Sequence, residues 1–187
     1  MVMRKLVAMI VTGLAGVALV VLPVGSADAT IWWLQYSDRS TGQCMEMAEG
    51  NYDGALVSED PCLSPVGSGA SHQLFQLALL SDGNDLLIVQ SSNKCVRLVG
   101  DYAAPGATGP IEQWTCGGSV TQEWQTPVVK ENANGSVDLM FRNAATGTCI
   151  SSNGGSHFNP LIVQTCNSAD ARQVWHQHLR EGGGIAS

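Results

Sequence analysis

Every second residue between positions 137 and 141 is a large apolar residue. The alternation divides the side chains into two sets, Val137, Leu139 and Phe141 on one face and Asp138, Met140 and Arg142 on the other. A period of two residues is typical of a half-buried β-strand. The segment is therefore predicted to be a strand with its three apolar residues in the core.

A similar face is predicted close to the start of the chain. Tyr36 and Phe141 each lie eight residues before a cysteine, so Trp32, Leu34 and Tyr36 are expected to face inward. By the same alternation Trp33 faces outward. An outward tryptophan is either an exposed anchor for a protein partner or a contact that shields the ends of the chain.

Clusters of glycine with asparagine or aspartate separate the apolar segments, as in Asp82-Gly83-Asn84 and Asn153-Gly154-Gly155. Clusters of this kind are typical of many short strands joined by turns. No convincing amphipathic helix is found after residue 30. The sequence therefore predicts an all-β fold.

A glutamine stands two residues before an aromatic residue three times, in Gln73-Leu74-Phe75, Gln122-Glu123-Trp124 and Gln173-Val174-Trp175. The glutamines are 49 and 51 residues apart, and three cysteines repeat at 51 and 54 residues. An internal repeat of this length predicts three structural units. With about four short strands per unit, we expect roughly twelve strands in a closed, pseudo-threefold barrel, which leaves no exposed sheet edge.

The first 29 residues have the features of a secretory signal peptide. Arg4 and Lys5 precede an apolar run that ends near Pro23, and Ala27-Asp28-Ala29 is a typical cleavage site. The alternative is an uncleaved membrane anchor, because the run almost suffices to span a bilayer. We expect a signal peptide at residues 1–29, one domain at residues 30–180 and a flexible tail at 181–187.

The six cysteines all lie after the signal peptide and would reach an oxidising compartment. An even number there indicates three disulfides, and the count alone allows about fifteen connectivities. If each repeat is one structural unit, the simplest rule pairs cysteines within a repeat. The predicted bridges are Cys44–Cys62, Cys95–Cys116 and Cys149–Cys166.

The charge balance argues against two classes of partner. The whole chain has a net charge of −7, and removal of Arg4, Lys5 and Asp28 leaves 7 basic and 15 acidic residues, a net charge of −8. Nucleic-acid binding depends mainly on lysine and arginine at phosphates, and anionic membranes attract basic segments. Neither a nucleic acid nor membrane insertion is expected.

The order Cys, Cys, Gln-x-aromatic, three times from Ile31 to about His178, resembles the ricin-B-type β-trefoil lectin domains. The resemblance implies a β-trefoil with repeats at about 31–75, 76–124 and 125–178. It also implies that Phe75, Trp124 and Trp175 fill the core and that the glutamine side chains tie the backbone between strands. Glycan binding is the usual activity that the resemblance implies.

In that family each repeat binds sugar through four positions: an acid two residues after the first cysteine, a glutamine four and an aromatic two before the second, and a polar residue before Gln-x-Trp. Carboxylate and amide groups bond to sugar hydroxyls, and the ring stacks on the pyranose. The three repeats here offer Glu46, Ser58, Asp60 and His72; Arg97, Glu112, Trp114 and Thr121; and Ser151, Ile162, Gln164 and Arg172. No repeat keeps the full set.

The second repeat offers the best pocket, with Trp114 as a stacking platform beside Glu112 and Arg97. The alternative is that Arg97 and Glu112 form a surface ion pair with Trp114 packed beside them. In the first repeat Glu46 and Asp60 are candidate ligand-binding residues that could coordinate a hard cation. A solvated acidic face is the preferred interpretation, because two carboxylates are too few for calcium, which requires about six to eight oxygen ligands.

No catalytic motif is found in the sequence, and no cofactor is expected. His176 and His178 are two residues apart and would share one face of a strand, but no third metal ligand is evident nearby, so no metal is expected. The chain is predicted to be a secreted, non-catalytic lectin-like protein with degenerate sugar sites. The alternative is a protein-binding adaptor or subunit of a secreted, possibly toxin-type assembly.

Overall fold

The computed structural model describes residues 33–47, 50–63, 70–100, 104–154 and 158–178. Within them the chain forms short β-strands and three single-turn 3₁₀ helices at Ser71–Gln73, Val120–Gln122 and Ala171–Gln173. The strands are β1 (Gln35–Asp38), β2 (Cys44–Met47), β3 (Val57–Asp60), β4 (Phe75–Leu79), β5 (Asp85–Val89), β6 (Cys95–Leu98), β7 (Gly109–Trp114), β8 (Glu123–Gln125), β9 (Val128–Glu131), β10 (Val137–Leu139), β11 (Arg142–Asn143), β12 (Thr148–Ser151), β13 (Asn159–Pro160), β14 (Ile162–Thr165) and β15 (Trp175–His178).

Six strand positions close into a barrel. Around the ring, β1 pairs with β15 and β15 pairs with β10. The continuous strand β10–β11 pairs with the continuous strand β8–β9. β8 then pairs with β5, and β5 pairs with β4. A bridge between Leu34 and Phe75 returns from β4 to the start of β1. Because β8 continues into β9 and β10 into β11, the ring has six strand positions, and two of them begin in each repeat.

The remaining strands form one antiparallel hairpin per repeat: β2–β3, β6–β7, and β12 with β14. The hairpins contact one another through β3–β13, β7–β14 and a bridge between Leu56 and Glu112. Counting β8–β9, β10–β11 and β13–β14 as interrupted single strands leaves the twelve predicted. The prediction that all twelve belong to the barrel is wrong: half of them form the three hairpins.

The core repeats in step with the cysteines. Four positions of each repeat have no exposed surface: eight residues before the first cysteine (Tyr36, Leu87, Phe141), one after it (Met45, Val96, Ile150), five before the second cysteine (Val57, Ile111, Leu161) and the aromatic residue (Phe75, Trp124, Trp175). All twelve belong to one hydrophobic cluster, against which Leu34 and Val137 pack. The predicted core roles of the three aromatics are confirmed. Trp32 lies outside the described residues.

The glutamine of each Gln-x-aromatic unit binds the backbone on both sides of the second cysteine. In the second repeat the Gly117 amide donates to Gln122 Oε1 at 2.9 Å, and Gln122 Nε2 donates to the Thr115 carbonyl at 2.9 Å. The same two contacts join Gln73 to Leu63 and Pro61, and Gln173 to Asn167 and Thr165. The implied role of the glutamines is confirmed.

The disulfides Cys44–Cys62, Cys95–Cys116 and Cys149–Cys166 all form, one in each repeat. The position two residues before each first cysteine has a positive φ angle, 75° at Gly42, 55° at Asn93 and 72° at Gly147. Asparagine is one of the few residues with a side chain that adopts this conformation readily. The turn of the second repeat therefore keeps the geometry of the other two.

Among the described residues, no helix is long and apolar enough to span a membrane. The predicted signal peptide at residues 1–29 and the predicted tail at residues 181–187 lie outside the described residues.

Candidate functional site

Arg97, Glu112 and Trp114 meet on the hairpin of the second repeat. Arg97 on β6 lies directly opposite Glu112 on β7, and Cys95 lies opposite Trp114. Residues opposite each other in an antiparallel pair project to the same face, and so do residues two apart on one strand. The three side chains therefore share the face that the sequence predicted.

The Arg97 guanidinium is held between a carboxylate and an aromatic ring. Its Nε and Nη2 atoms approach Glu112 Oε1 at 2.8 Å and 2.6 Å, and its Cζ lies 3.6 Å from the centroid of the Trp114 ring. Glu112 is only 7% exposed, whereas Trp114 remains 37% exposed. The ion pair of the alternative interpretation thus forms, but half-buried rather than on the surface, and Arg97 stacks on the ring that was predicted to receive a sugar.

A loop of the first repeat borders this site. The Gln113 side chain donates to the carbonyls of Gly50 and Tyr52, at 2.6 Å and 3.2 Å. A Cβ atom on Gly54 would lie 3.7 Å from Glu112 Oε2 and 3.9 Å from the Trp114 ring. Alignment of the repeats gave no sign of this loop, because its contacts join two different repeats.

Asp53 fastens the loop to the second repeat. Its carboxylate accepts hydrogen bonds from Lys94 Nζ at 2.6 Å and from the Thr115 amide at 2.8 Å. The hydrogen bond from Lys94, followed by the bonds from Thr115, outweighs desolvation and lowers the pKa of Asp53. Asp53 therefore remains ionised at neutral pH, and its salt bridge lies beside Trp114.

The corresponding positions of the first repeat are occupied by internal contacts. Glu46 is 4% exposed and accepts a hydrogen bond from Gln73 Nε2 at 2.6 Å. Ser58 lies opposite Glu46 and is buried, while His72 Nε2 approaches Glu46 Oε2 at 3.9 Å. Asp60 is half-buried on the same face. The prediction of a solvated acidic face is wrong for Glu46, whose carboxylate belongs to the glutamine network of the fold.

The third repeat shows a similar internal pairing. Gln164 Nε2 donates to Ser151 Oγ at 2.5 Å, and Ser151 is fully buried. Arg172 forms a salt bridge of 2.7 Å with Asp170. Ile162 lies opposite Ser151 in the hairpin and offers no polar group.

Trp33 lies beside the strand that closes the barrel, and its exposure is intermediate. Its neighbour Leu34 packs against the core, in agreement with the predicted alternation. The indole is therefore partly covered, and less exposed than an isolated outward tryptophan would be.

The sequence model of the ricin-type β-trefoil lectin domain matches residues 33–175. No curated protein matches the chain in sequence.

Solved structures with the same fold include a designed threefold-symmetric protein, ThreeFoil, at 20% identity and a TM-score of 0.62, covering 78% of this chain and 96% of that one. The agglutinin from Abrus precatorius has 21% identity and a TM-score of 0.55, covering 79% of this chain and 48% of its own. The cytolethal distending toxin from Actinobacillus actinomycetemcomitans has 12% identity and a TM-score of 0.59, covering 83% and 94%. Identities this low establish the fold alone.

Proposed function

Because the chain belongs to the ricin-type β-trefoil lectin domain family, we propose that it is a secreted, non-catalytic, carbohydrate-binding protein with a single sugar site in the second repeat. The observation that supports this most directly is the position of Trp114. It stands on the site hairpin as an exposed aromatic with an oriented carboxylate and guanidinium beside it.

The arrangement suits a sugar in two ways. The uncovered part of the Trp114 ring offers an apolar surface to the C–H groups of a pyranose. Both Arg97 contacts use Oε1 of Glu112, which leaves Oε2 as the acceptor offered to a hydroxyl group. Gly54 lacks the Cβ atom that would otherwise lie in van der Waals contact with this oxygen, at 3.7 Å.

The first and third repeats are proposed to have lost sugar binding. In the first, Glu46 is committed to Gln73, and in the third, Gln164 is committed to Ser151. A ligand would have to displace hydrogen bonds that satisfy buried groups, and breaking such bonds is costly.

A glycan array with the purified mature protein, followed by titration of the best ligand, tests the proposal. Trp114→Ala should abolish binding, because aromatic stacking is worth on the order of 1–3 kcal/mol by analogy with stacking on bases. Phe158→Ala is the matched control, since Phe158 is also an exposed aromatic, on a loop of the third repeat. Glycan binding that survives Trp114→Ala, or that is lost equally with Phe158→Ala, would refute a site at Trp114.

We also propose an alternative from another class, a protein-binding subunit or adaptor of a secreted assembly. Two observations favour it: the sugar positions of two repeats are engaged internally, and a cytolethal distending toxin shares the fold. A pull-down from culture supernatant with the mature protein as bait separates the two functions. Recovery of a stoichiometric protein partner without any glycan signal would favour the adaptor.

Secretion is the premise of both functions. The apolar run before residue 30 and the three disulfides support it, because disulfides persist in oxidising compartments. Amino-terminal sequencing of protein from the culture medium should begin at Thr30. Retention of the protein in the membrane fraction with an intact amino terminus would contradict the proposal.

A further inference from the structure

The outer wall of the barrel carries two histidines where its first and last strands meet. His176 and His178 lie two residues apart on β15, which is flanked by β1 and β10. Their rings are 5.0 Å apart between centroids and nearly perpendicular. His176 retains 23% exposure of its side chain, and His178 is half-buried, so solvent reaches this pair.

An aspartate from the neighbouring strand fixes the first ring. Asp138 lies directly opposite His176, and its Oδ1 is 2.7 Å from His176 Nδ1. Asn132 Nδ2 donates to the same carboxylate oxygen at 3.2 Å, and Arg39 Nε approaches the other at 3.6 Å. A carboxylate bound to Nδ1 selects the tautomer whose Nε2 carries a free lone pair.

A serine from the other neighbouring strand positions the second ring. Ser37 Oγ lies 2.8 Å from His178 Nε2, and Ser37 itself is buried on β1. In the tautomer whose Nε2–H donates to the Ser37 oxygen, Nδ1 of His178 has the free lone pair that a metal ion requires. Both rings thus have one nitrogen held by the protein and one left over.

The separation of the rings suits a shared metal ion. Two imidazoles bonded to one tetrahedral zinc ion at about 2.0–2.1 Å have centroids roughly 5 Å apart. A carboxylate on the far nitrogen is the usual second partner of a metal-bound histidine. We propose that His176 and His178 bind a divalent transition-metal ion, with Asp138 and Ser37 as positioning residues and water as the remaining ligands.

The donor set limits the choice of metal. Imidazole nitrogen suits zinc, copper and nickel, whereas calcium and magnesium require several oxygen ligands. Cys44 and Cys62 also lie within 4.8 Å of a ring nitrogen of His178, but their sulfur atoms are bonded to each other. The ion is therefore held by nitrogen and water in the oxidised protein.

Isothermal titration of the purified, disulfide-intact protein with zinc alone tests the site, together with thermal denaturation with and without zinc. The wild type should bind one ion and unfold at a higher temperature in its presence, because a ligand that binds only the folded state stabilises it. His176→Gln and His178→Gln should each lose this binding. Asp138→Asn should weaken it by about 10–100-fold.

His72→Gln is the matched control, because His72 is half-buried but lies beside Glu46 in the first repeat; it should bind zinc like the wild type. If a histidine variant does not fold, electron paramagnetic resonance of the wild type with copper alone remains decisive. Coupling to two imidazole nitrogens would support the site. No binding in a large excess of zinc, or equal binding by the double variant of His176 and His178, would overturn it.

Discussion

At the scale of single residues, Tyr36 places a polar hydroxyl group in the apolar core. The side chain is fully buried and its oxygen has no hydrogen-bond partner among the described residues. Burial, followed by the nearby charge of Asp85, raises the pKa of Tyr36. The equivalent positions of the other repeats hold Leu87 and Phe141, which have no polar group.

Tyr36→Phe should therefore stabilise the protein. It removes a buried, unpaired hydroxyl, which costs about 1–3 kcal/mol, and keeps the edge-to-face contact with Phe141, at 5.0 Å between centroids. Chemical denaturation should show a gain of about 1 kcal/mol in the free energy of unfolding. Tyr36→Leu is the contrasting variant and should lose stability through a cavity. A loss of stability in Tyr36→Phe would mean that the hydroxyl has a partner.

Asp85 occupies a position that is apolar in the other two repeats. It stands ten residues before a cysteine, as do Leu34 and Leu139. Desolvation raises the pKa of Asp85, and the hydrogen bond from Thr126 only partly opposes this. The folded protein therefore holds a proton on Asp85 at pH values where the unfolded chain has lost it.

This difference predicts a pH dependence with a definite sign. Where the folded state binds more protons, stability falls as pH rises. The contribution of Asp85 should be complete below its ordinary pKa of 3.8 and should be lost as pH rises through the raised value. Asp85→Asn should remove this contribution. Denaturation midpoints of both proteins across mildly acidic pH would show it, and parallel curves would contradict the prediction.

At the scale of elements, the glutamine contacts define each repeat as a unit. Gln122 satisfies the two peptide groups next to Cys116, with both hydrogen bonds at 2.9 Å. The aromatic residue two positions on completes the link, because the Trp124 indole donates to the Val96 carbonyl at 3.0 Å. One short segment thus ties the core, the second cysteine and the hairpin together.

Gln122→Ala should cost about 2 kcal/mol of the free energy of unfolding, since it removes two hydrogen bonds worth about 0.5–1.5 kcal/mol each and truncates a buried side chain. Gln125→Ala is the matched control, because Gln125 is exposed on the following strand and surface changes are usually within about 0.5 kcal/mol. Urea denaturation of both variants measures the difference. Equal stability of the two would show that water replaces the glutamine.

The cysteine period and the Gln-x-aromatic units suffice to predict the repeats, the disulfides and the core aromatics, because each repeat obeys the same local rule. The division of strands between barrel and hairpins does not follow from that rule, since both kinds of strand alternate with the same period. The sequence pattern also does not identify hydrogen-bond partners that lie on different strands. Asp138 is 38 residues from His176, and only the sheet register places them side by side.

Residues that face away from the core show a second limit of the sequence pattern, which does not predict their burial. Alternation predicts that Ser37 and Asp138 face solvent, yet both are buried. They face away from the apolar core but are covered by hydrogen-bonded neighbours, His178 for Ser37 and His176 for Asp138. A binary pattern distinguishes the core face from the other face, and long-range polar contacts decide whether that other face meets water.

At the scale of the whole molecule, the symmetry of the core is not repeated at the surface. The four core positions of each repeat are filled by fully buried aliphatic or aromatic side chains, twelve in all. The site face, by contrast, carries a buried carboxylate in the first repeat, an arginine stacked on tryptophan in the second and a serine–glutamine pair in the third. The core maintains the fold, so we expect binding to depend on the surface residues that differ between repeats.

The net charge of −8 expected after removal of the signal peptide gives the molecule a long-range preference. It favours cationic or neutral partners and disfavours anionic surfaces. A protein partner of the proposed adaptor would then bind through an apolar contact with basic residues around it. Trp33, at the seam of the first and last strands, is our candidate for that contact.

Trp33→Ala distinguishes a partner-binding indole from one that shields the chain ends. If a partner covers the ring, the variant should unfold at nearly the same temperature and bind the partner more weakly by about 2 kcal/mol or more, as for other aromatic anchors. If the protein's own chain covers it, the change should cost stability toward the roughly 3–5 kcal/mol of a buried tryptophan and leave binding intact. Because Trp33 is half-buried, the loss of stability expected in this second case is smaller than that range.

Thermal denaturation of Trp33→Ala measures the loss of stability, and a quantitative pull-down measures the loss of partner binding, with Phe158→Ala as the exposed-aromatic control. A clear drop in melting temperature with undiminished recovery of the partner would exclude Trp33 as the anchor, because the indole would then stabilise the fold and not the complex.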